Sequence, residues 1–222
     1  MWSIMTIARS QARTRLWIEF SALFIGVPLI MAATFGLYPL FPVIIGLAGV
    51  SCILLQLTPG WEWKTLWKGP VLGEWRVILV YTLATLATCV AVAFANVPER
   101  FLEIPLNRPY LWIMIMTLYP LVSAFPQEII FRSLFFERYG SLFPSAWIAI
   151  LVDGAAFGFG HLFYENWITI AMTGYGGAIM GWAYMRNRSV LLAWVLHSVA
   201  GQILFTVGLG VYFYHGAVGS AP

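Results

Sequence analysis

The run Tyr110-Leu111-Trp112-Ile113-Met114-Ile115-Met116-Thr117-Leu118-Tyr119-Pro120-Leu121-Val122-Ser123-Ala124-Phe125 carries no charge, and it leads directly into Pro126-Gln127-Glu128-Ile129-Ile130-Phe131-Arg132. On a helix Glu128 and Arg132 are i and i+4, so they share a face and can pair. A carboxylate and a guanidinium are costly inside a membrane span, which makes a functional site the default reading of the stretch. The plainer reading is an intrahelical ion pair that orients helices. In both cases the stretch is part of a buried transmembrane helix, and the chain around it has the same character.

Of the 222 residues 61% are hydrophobic and 9% charged, and the mean hydropathy is +0.83. A soluble domain carries roughly 25% charged residues. The expected fold is therefore all-α, a polytopic transmembrane helix bundle forming a single membrane domain over residues 1–222. The 11 Trp and 10 Tyr suit interfacial belts. The pI near 9.0 comes from scattered loop arginines and lysines, none in a run long enough to track phosphates, so no nucleic acid is expected as a partner. Cys52 and Cys89 fall inside apolar runs, which leaves neither a disulfide framework nor a zinc-type Cys cluster.

About seven spans are expected: Trp17 to Leu37, Phe41 to Leu57, Trp75 to Ala95, Tyr110 to about Arg138, Ser145 to Phe163, Trp167 to Met185, and Val190 to about Phe213. The first is too long for the apolar core of a signal peptide, and no small-residue cleavage site follows it. The fourth covers about 40 Å at 1.5 Å per residue, so it must tilt or kink at Pro120 and Pro126. Trp61 to Glu74, with Glu62, Lys64 and Lys68, suits an interfacial amphipathic piece or an ordinary loop. Arg9, Arg13, Arg15, Lys64, Lys68, Arg76, Arg138, Arg186 and Arg188 fall on the N-terminal side of the bundle, and only Arg100 and Arg108 on the other. That bias puts the N-terminus inside and the C-terminus, with His215, outside. The expected location is the bacterial cytoplasmic membrane.

Five ionisable residues lie well inside spans: Glu128, Arg132, Asp153, His161 and His197. Gln127-Glu128-x-x-x-Arg132 is followed by Phe157-x-x-x-His161, then by Gly177-x-x-x-Gly181, then by His197, each on a separate apolar helix. The glycine spacing lets two helix backbones approach closely. In this order the pattern resembles the CPBP family of intramembrane endopeptidases, which includes CaaX prenyl proteases and bacteriocin self-immunity proteins. The resemblance covers residues 127–205 and implies a catalytic core there. The family's motifs are Glu-Glu-x-x-x-Arg, Phe-x-x-x-His and His-x-x-x-Asn. Phe157 and His161 match the second in full. Glu128 and Arg132 match the first, with Gln127 in place of its leading Glu. His197 matches the third, with Gly201 where Asn would stand and Gln202 beside it.

The resemblance implies an endopeptidase that cleaves a membrane-associated protein or a prenylated or leader peptide, so its partners are a membrane-embedded or lipidated peptide and the bilayer. It assigns water activation to the family's first Glu and help with the oxyanion to the Asn. Glutamine has no basic site at neutral pH, so Glu128 is expected to be the base. His161 and His197 would polarise the carbonyl and hold the oxyanion, with Gln202 or backbone N–H groups replacing the Asn. Glu128 is free for this only if Arg132 does not hold it tightly. Counted along the helices, Arg132 and Asp153 are both about 10 Å deep, so a pair between them would release Glu128, about 15 Å deep, towards His197 at about 12 Å. His161 comes out deeper, at about 24 Å, unless its helix starts after Ser145 or bends at its glycines. In a metal version Glu128, His161 and His197 would bind zinc with water in the fourth place. It ranks second because the histidines lie on separate helices. Two further classes are a non-catalytic relative binding a membrane peptide or lipid, motivated by Gln127 and Gly201, and a small proton-coupled transporter, weakened by the absence of an internal repeat.

Overall fold

In the computed structural model the backbone is described for residues 2–37 and 39–213, and side chains from residue 11 onward. Among these residues the chain is all-α, with seven long helical segments in the seven apolar stretches. α1 is helical over Trp2–Ser21, passes through a π turn at Ala22–Gly26 and continues over Val27–Ala33. α2 is Leu40–Gln56 and α3 is Trp75–Asn96. α4 begins at Pro109–Tyr119 and continues without a break to Leu142. α5 is Ala146–Phe159, α6 is Trp167–Asn187 and α7 is Val190–Thr206. Four stretches are long and apolar enough to cross a membrane: Gln11–Ala33, Val71–Asn96, Pro109–Leu142 and Ala146–Tyr164. α2 and α7 are shorter apolar helices. His215 and the C-terminal side assigned to it lie outside the described residues.

Polarity is inverted relative to a soluble domain. Large apolar side chains such as Ile18, Val80 and Leu151 are exposed, whereas Glu128, Arg132 and Asp153 have no exposed surface. That is the arrangement for a chain solvated by lipid, and this is an integral, multi-spanning architecture. Charged loops meet at one end of the bundle. Arg13 donates to the Leu142 carbonyl (3.1 Å), Arg138 pairs with Glu19 (2.8 Å) and donates to Thr58 Oγ1 (3.1 Å), Arg186 pairs with Glu74 (2.9 Å), and Arg188 pairs with Glu137 (2.8 Å). At the other end Phe35 packs on Phe163 (4.9 Å between centroids), and Thr169 Oγ1 donates to the Tyr212 carbonyl (3.0 Å). Successive segments therefore run in opposite directions. The segment from Trp61 to Glu74 is a loop with two short 3-10 turns, Trp63–Trp67 and Val71–Glu74, and Trp67 stacks on Phe125 (5.5 Å).

Two local features position the interior. α4 carries π turns over Pro120–Ala124 and Ile129–Tyr139. Pro120 has no N–H to give the Met116 carbonyl, so that acceptor is free to bond elsewhere, and the helix widens from Pro120. α5 and α6 meet almost backbone to backbone. A Cβ added to Gly177 would stand 2.8 Å from Phe157 Cβ, and one added to Gly181 would stand 2.5 Å from Asp153 Oδ2. Only glycine at these two positions lets Asp153 and Phe157 face the centre of the bundle at that helix separation.

Candidate active site

A cavity of about 720 Å³ lies among the helices. Most of its wall is apolar, including Met31, Ile44, Leu47 and Met180. Its polar corner holds Gln127 and Ser123 from α4, His161 from the turn after α5, and His197 and Gly201 from α7, with Tyr119 beside them. The polar side chains thus take up a small part of a largely apolar chamber. Both imidazoles pack edge-on against the Phe157 ring, with centroids 4.8 Å (His161) and 5.4 Å (His197) away, so the two flank one side chain.

Glu128 is absent from that wall. Its Oε1 accepts from His197 Nδ1 at 2.7 Å and its Oε2 accepts from Arg132 Nε at 3.0 Å. Arg132 Nη1 pairs in turn with Asp153 Oδ2, so the expected pair across helices is present. It does not release Glu128, because the guanidinium fork reaches both carboxylates at once. The guanidinium also lies over the Phe157 ring, 5.1 Å from its centroid, and its Nη2 is 3.8 Å from Met180 Sδ. Buried charges persist only when paired in this way. Asp153 Oδ1 has no hydrogen-bond partner among the described residues.

The two histidines are fixed in complementary ways. A carbonyl oxygen only accepts, so the 2.8 Å contact of His161 Nδ1 with the Phe157 carbonyl puts the proton on Nδ1. The neutral ring then keeps a lone pair on Nε2. The contact of His197 Nδ1 with a carboxylate has the same consequence for its Nε2, on the edge turned away from Glu128. The depth of His161 is explained by the end of α5. The helix stops at Phe159, His161 sits in the following turn, and its ring folds back towards Phe157.

Gln127 Nε2 donates to the Ser123 carbonyl (3.1 Å) and to Ser123 Oγ (3.0 Å). The carbonyl fixes which amide atom faces it, so Oε1 is the atom left for the cavity. An amide oxygen accepts hydrogen bonds and is not a base. Gln202, expected beside the oxyanion, points elsewhere. Its Nε2 donates at 2.8 Å to the Met116 carbonyl that Pro120 leaves unbonded. It sits one residue from Gly201, about 100° around the helix, which turns it from the cavity to α4.

Of the three residues expected to hold zinc, Glu128 has one oxygen on His197 Nδ1 and the other on Arg132 Nε, and no group of three His, Cys, Asp or Glu side chains is found clustered among the described residues. Cys52 and Cys89 are free thiols, and Cys89 is buried.

Tyr119 is the wall residue that motif reasoning passed over. It lies in the uncharged run before the motifs, and no local spacing marks it. Residues 108–203 match the family model described as Type II CAAX prenyl endopeptidase Rce1-like. Neither curated proteins nor solved structures give a match. The stretch of residues 108–203, which carries Gln127, Glu128, His161 and His197 and most of the polar corner, is a CAAX-protease-like domain within a multi-helix membrane protein.

Proposed function

We propose that this protein is an intramembrane endopeptidase acting on a lipidated or membrane-embedded peptide, with His197 as the general base and Glu128 as the carboxylate that orients it. The observation that carries this reading is the 2.7 Å contact between Glu128 Oε1 and His197 Nδ1, with Glu128 sealed off and His197 on the cavity wall. Such a contact holds one tautomer and one ring orientation, and it stabilises the imidazolium that forms when Nε2 takes a proton. In the reaction, water attacks the scissile carbonyl carbon while His197 Nε2 removes its proton. The tetrahedral intermediate then expels the amine, which receives that proton from His197 as the C–N bond breaks. Gln127 Oε1 accepts a backbone N–H of the bound peptide. His161 Nε2 offers a second acceptor to the water. The apolar wall suits a hydrocarbon chain, and the family description names a prenyl endopeptidase, so a prenylated C-terminal peptide is the substrate class we assign. The seven segments are read as seven spans with the N-terminus inside.

The test is hydrolysis of a fluorogenic S-farnesyl peptide by the protein in liposomes. Wild type should cleave it, and His197→Ala or Glu128→Gln should lower kcat by about 10²–10⁴-fold. Gln127→Ala should change KM more than kcat. A second reading, binding without hydrolysis, is favoured by the Gln127 amide standing on the wall where a carboxylate could activate water. It predicts an inert wild type that binds the peptide and a Gln127→Glu variant that cleaves it.

A further inference from the structure

Gly201 lies four residues after His197 on α7, so a side chain there would project beside the imidazole. That space is already filled. A Cβ built on Gly201 would fall on the edge of the Tyr119 ring and within 2.5 Å of the Tyr119 hydroxyl oxygen. The ring is packed edge-on against His197 (6.0 Å between centroids) and against Phe205 (5.7 Å). Gly201 is therefore the residue that makes room for a tyrosine arriving from another helix.

Tyr119 is held firmly against α7. Three hydrogen bonds join α4 to α7 along this seam: Trp112 Nε1 to Thr206 Oγ1 (2.9 Å), Gln202 Nε2 to the Met116 carbonyl (2.8 Å), and Trp194 Nε1 to the Pro120 carbonyl (2.6 Å). Tyr119 sits between the second and third. Its hydroxyl has no hydrogen-bond partner among the described residues, although the residue lines the cavity with His197 and Gly201. A tyrosine hydroxyl in an apolar surrounding usually finds a partner. Here the open direction is the cavity. His161 and His197 each keep an acceptor on Nε2 when Nδ1 carries the proton, Gln127 keeps one on Oε1, and all three residues line the same cavity. The Tyr119 O–H adds a donor to these acceptors; the other hydroxyl of the corner, on Ser123, already takes a hydrogen bond from Gln127 through its oxygen.

We propose that the Tyr119 hydroxyl donates a hydrogen bond to the carbonyl oxygen of the bound peptide bond and to the oxyanion formed from it. This rests on the endopeptidase reading for its catalytic part. In that step the carbonyl π pair moves onto oxygen as water adds, the Tyr119 proton stays on Tyr119, and the hydrogen bond strengthens as charge develops.

The experiment uses full-length protein in liposomes with two probes, the S-farnesyl peptide substrate and its uncleavable phosphinate isostere. Tyr119→Phe keeps the ring and removes only the donor. It should lower kcat about 10²-fold with KM nearly unchanged, and weaken the phosphinate by a similar factor. Tyr119→Ala with Gly201→Asn, which puts an amide donor from α7 into the vacated space, should recover activity over Tyr119→Ala alone. Wild-type kcat and wild-type phosphinate affinity in Tyr119→Phe overturn the proposal while leaving the endopeptidase reading intact. If wild type cleaves nothing, that reading fails, and phosphinate affinity alone decides whether Tyr119 is a donor: weaker binding in Tyr119→Phe supports it, and unchanged binding overturns it.

Discussion

His197, Glu128, Arg132 and Asp153 form one buried chain of contacts that runs from the cavity wall into the α4–α5–α6 interior. Each link fixes the next, so a change at the far end reaches the imidazole without touching the cavity. Asp153→Ala leaves the buried guanidinium with a single carboxylate, and breaking such a pair costs about 3–5 kcal/mol. Asp153→Ala should therefore lower the thermal midpoint in detergent by an amount matching that loss, whereas Gln127→Ala, whose bonds go only to Ser123, should shift it far less. Part of this chain was legible from residue numbers. Equal depths of Arg132 and Asp153 on adjacent helices suggested their pairing. That Glu128 bonds Arg132 and His197 at once was not legible, because residue numbers do not show that one carboxylate reaches a partner on its own helix and another across the bundle.

At the scale of helices, proline and glycine decide what the polar residues can do. Pro120 frees the Met116 carbonyl, and Gln202 is spent on it, which removes Gln202 from the cavity. Gln202→Leu leaves that carbonyl without a partner inside the bundle, at a cost of about 1–3 kcal/mol. The variant should fold, with a lower thermal midpoint and reduced kcat, since the α4–α7 seam carries Tyr119. The α5–α6 contact is the second case. Gly181→Ala would press a methyl group onto Asp153 Oδ2 and against the Phe136 ring, 3.3 Å from its nearest carbon. Overpacking of this kind costs typically 1–3 kcal/mol. Unfolding of Gly181→Ala and of the open-faced control Gly46→Ala, where a Cβ meets nothing within 4 Å, should differ by that amount. The Gly177-x-x-x-Gly181 spacing announced a close helix contact in advance. Which helix it met, and that Asp153 and Phe157 stand opposite it, required the packed bundle.

For the whole molecule, the arginine and lysine bias predicts an inner N-terminus, and an odd number of spans predicts an outer C-terminus. A cytoplasm-active reporter fused after Pro222 should be silent, and an outside-active reporter at the same point should be active. The reverse pattern would mean an even number of spans. The sequence by itself determined the class of the molecule, because solvation by lipid demands long apolar stretches with internally bonded backbone, and that demand is written locally in hydropathy. It also marked Gln127, Glu128, His161 and His197, because short motifs are local too. Tertiary structure alone decided that Gln127 and not Glu128 stands on the cavity wall, that Gln202 serves a proline-freed carbonyl, and that Tyr119 fills the space above Gly201. Each depends on how helices distant in sequence are rotated against one another, and side-chain direction around a helix changes by about 100° per residue, so a one-residue choice is settled only by the neighbour it meets.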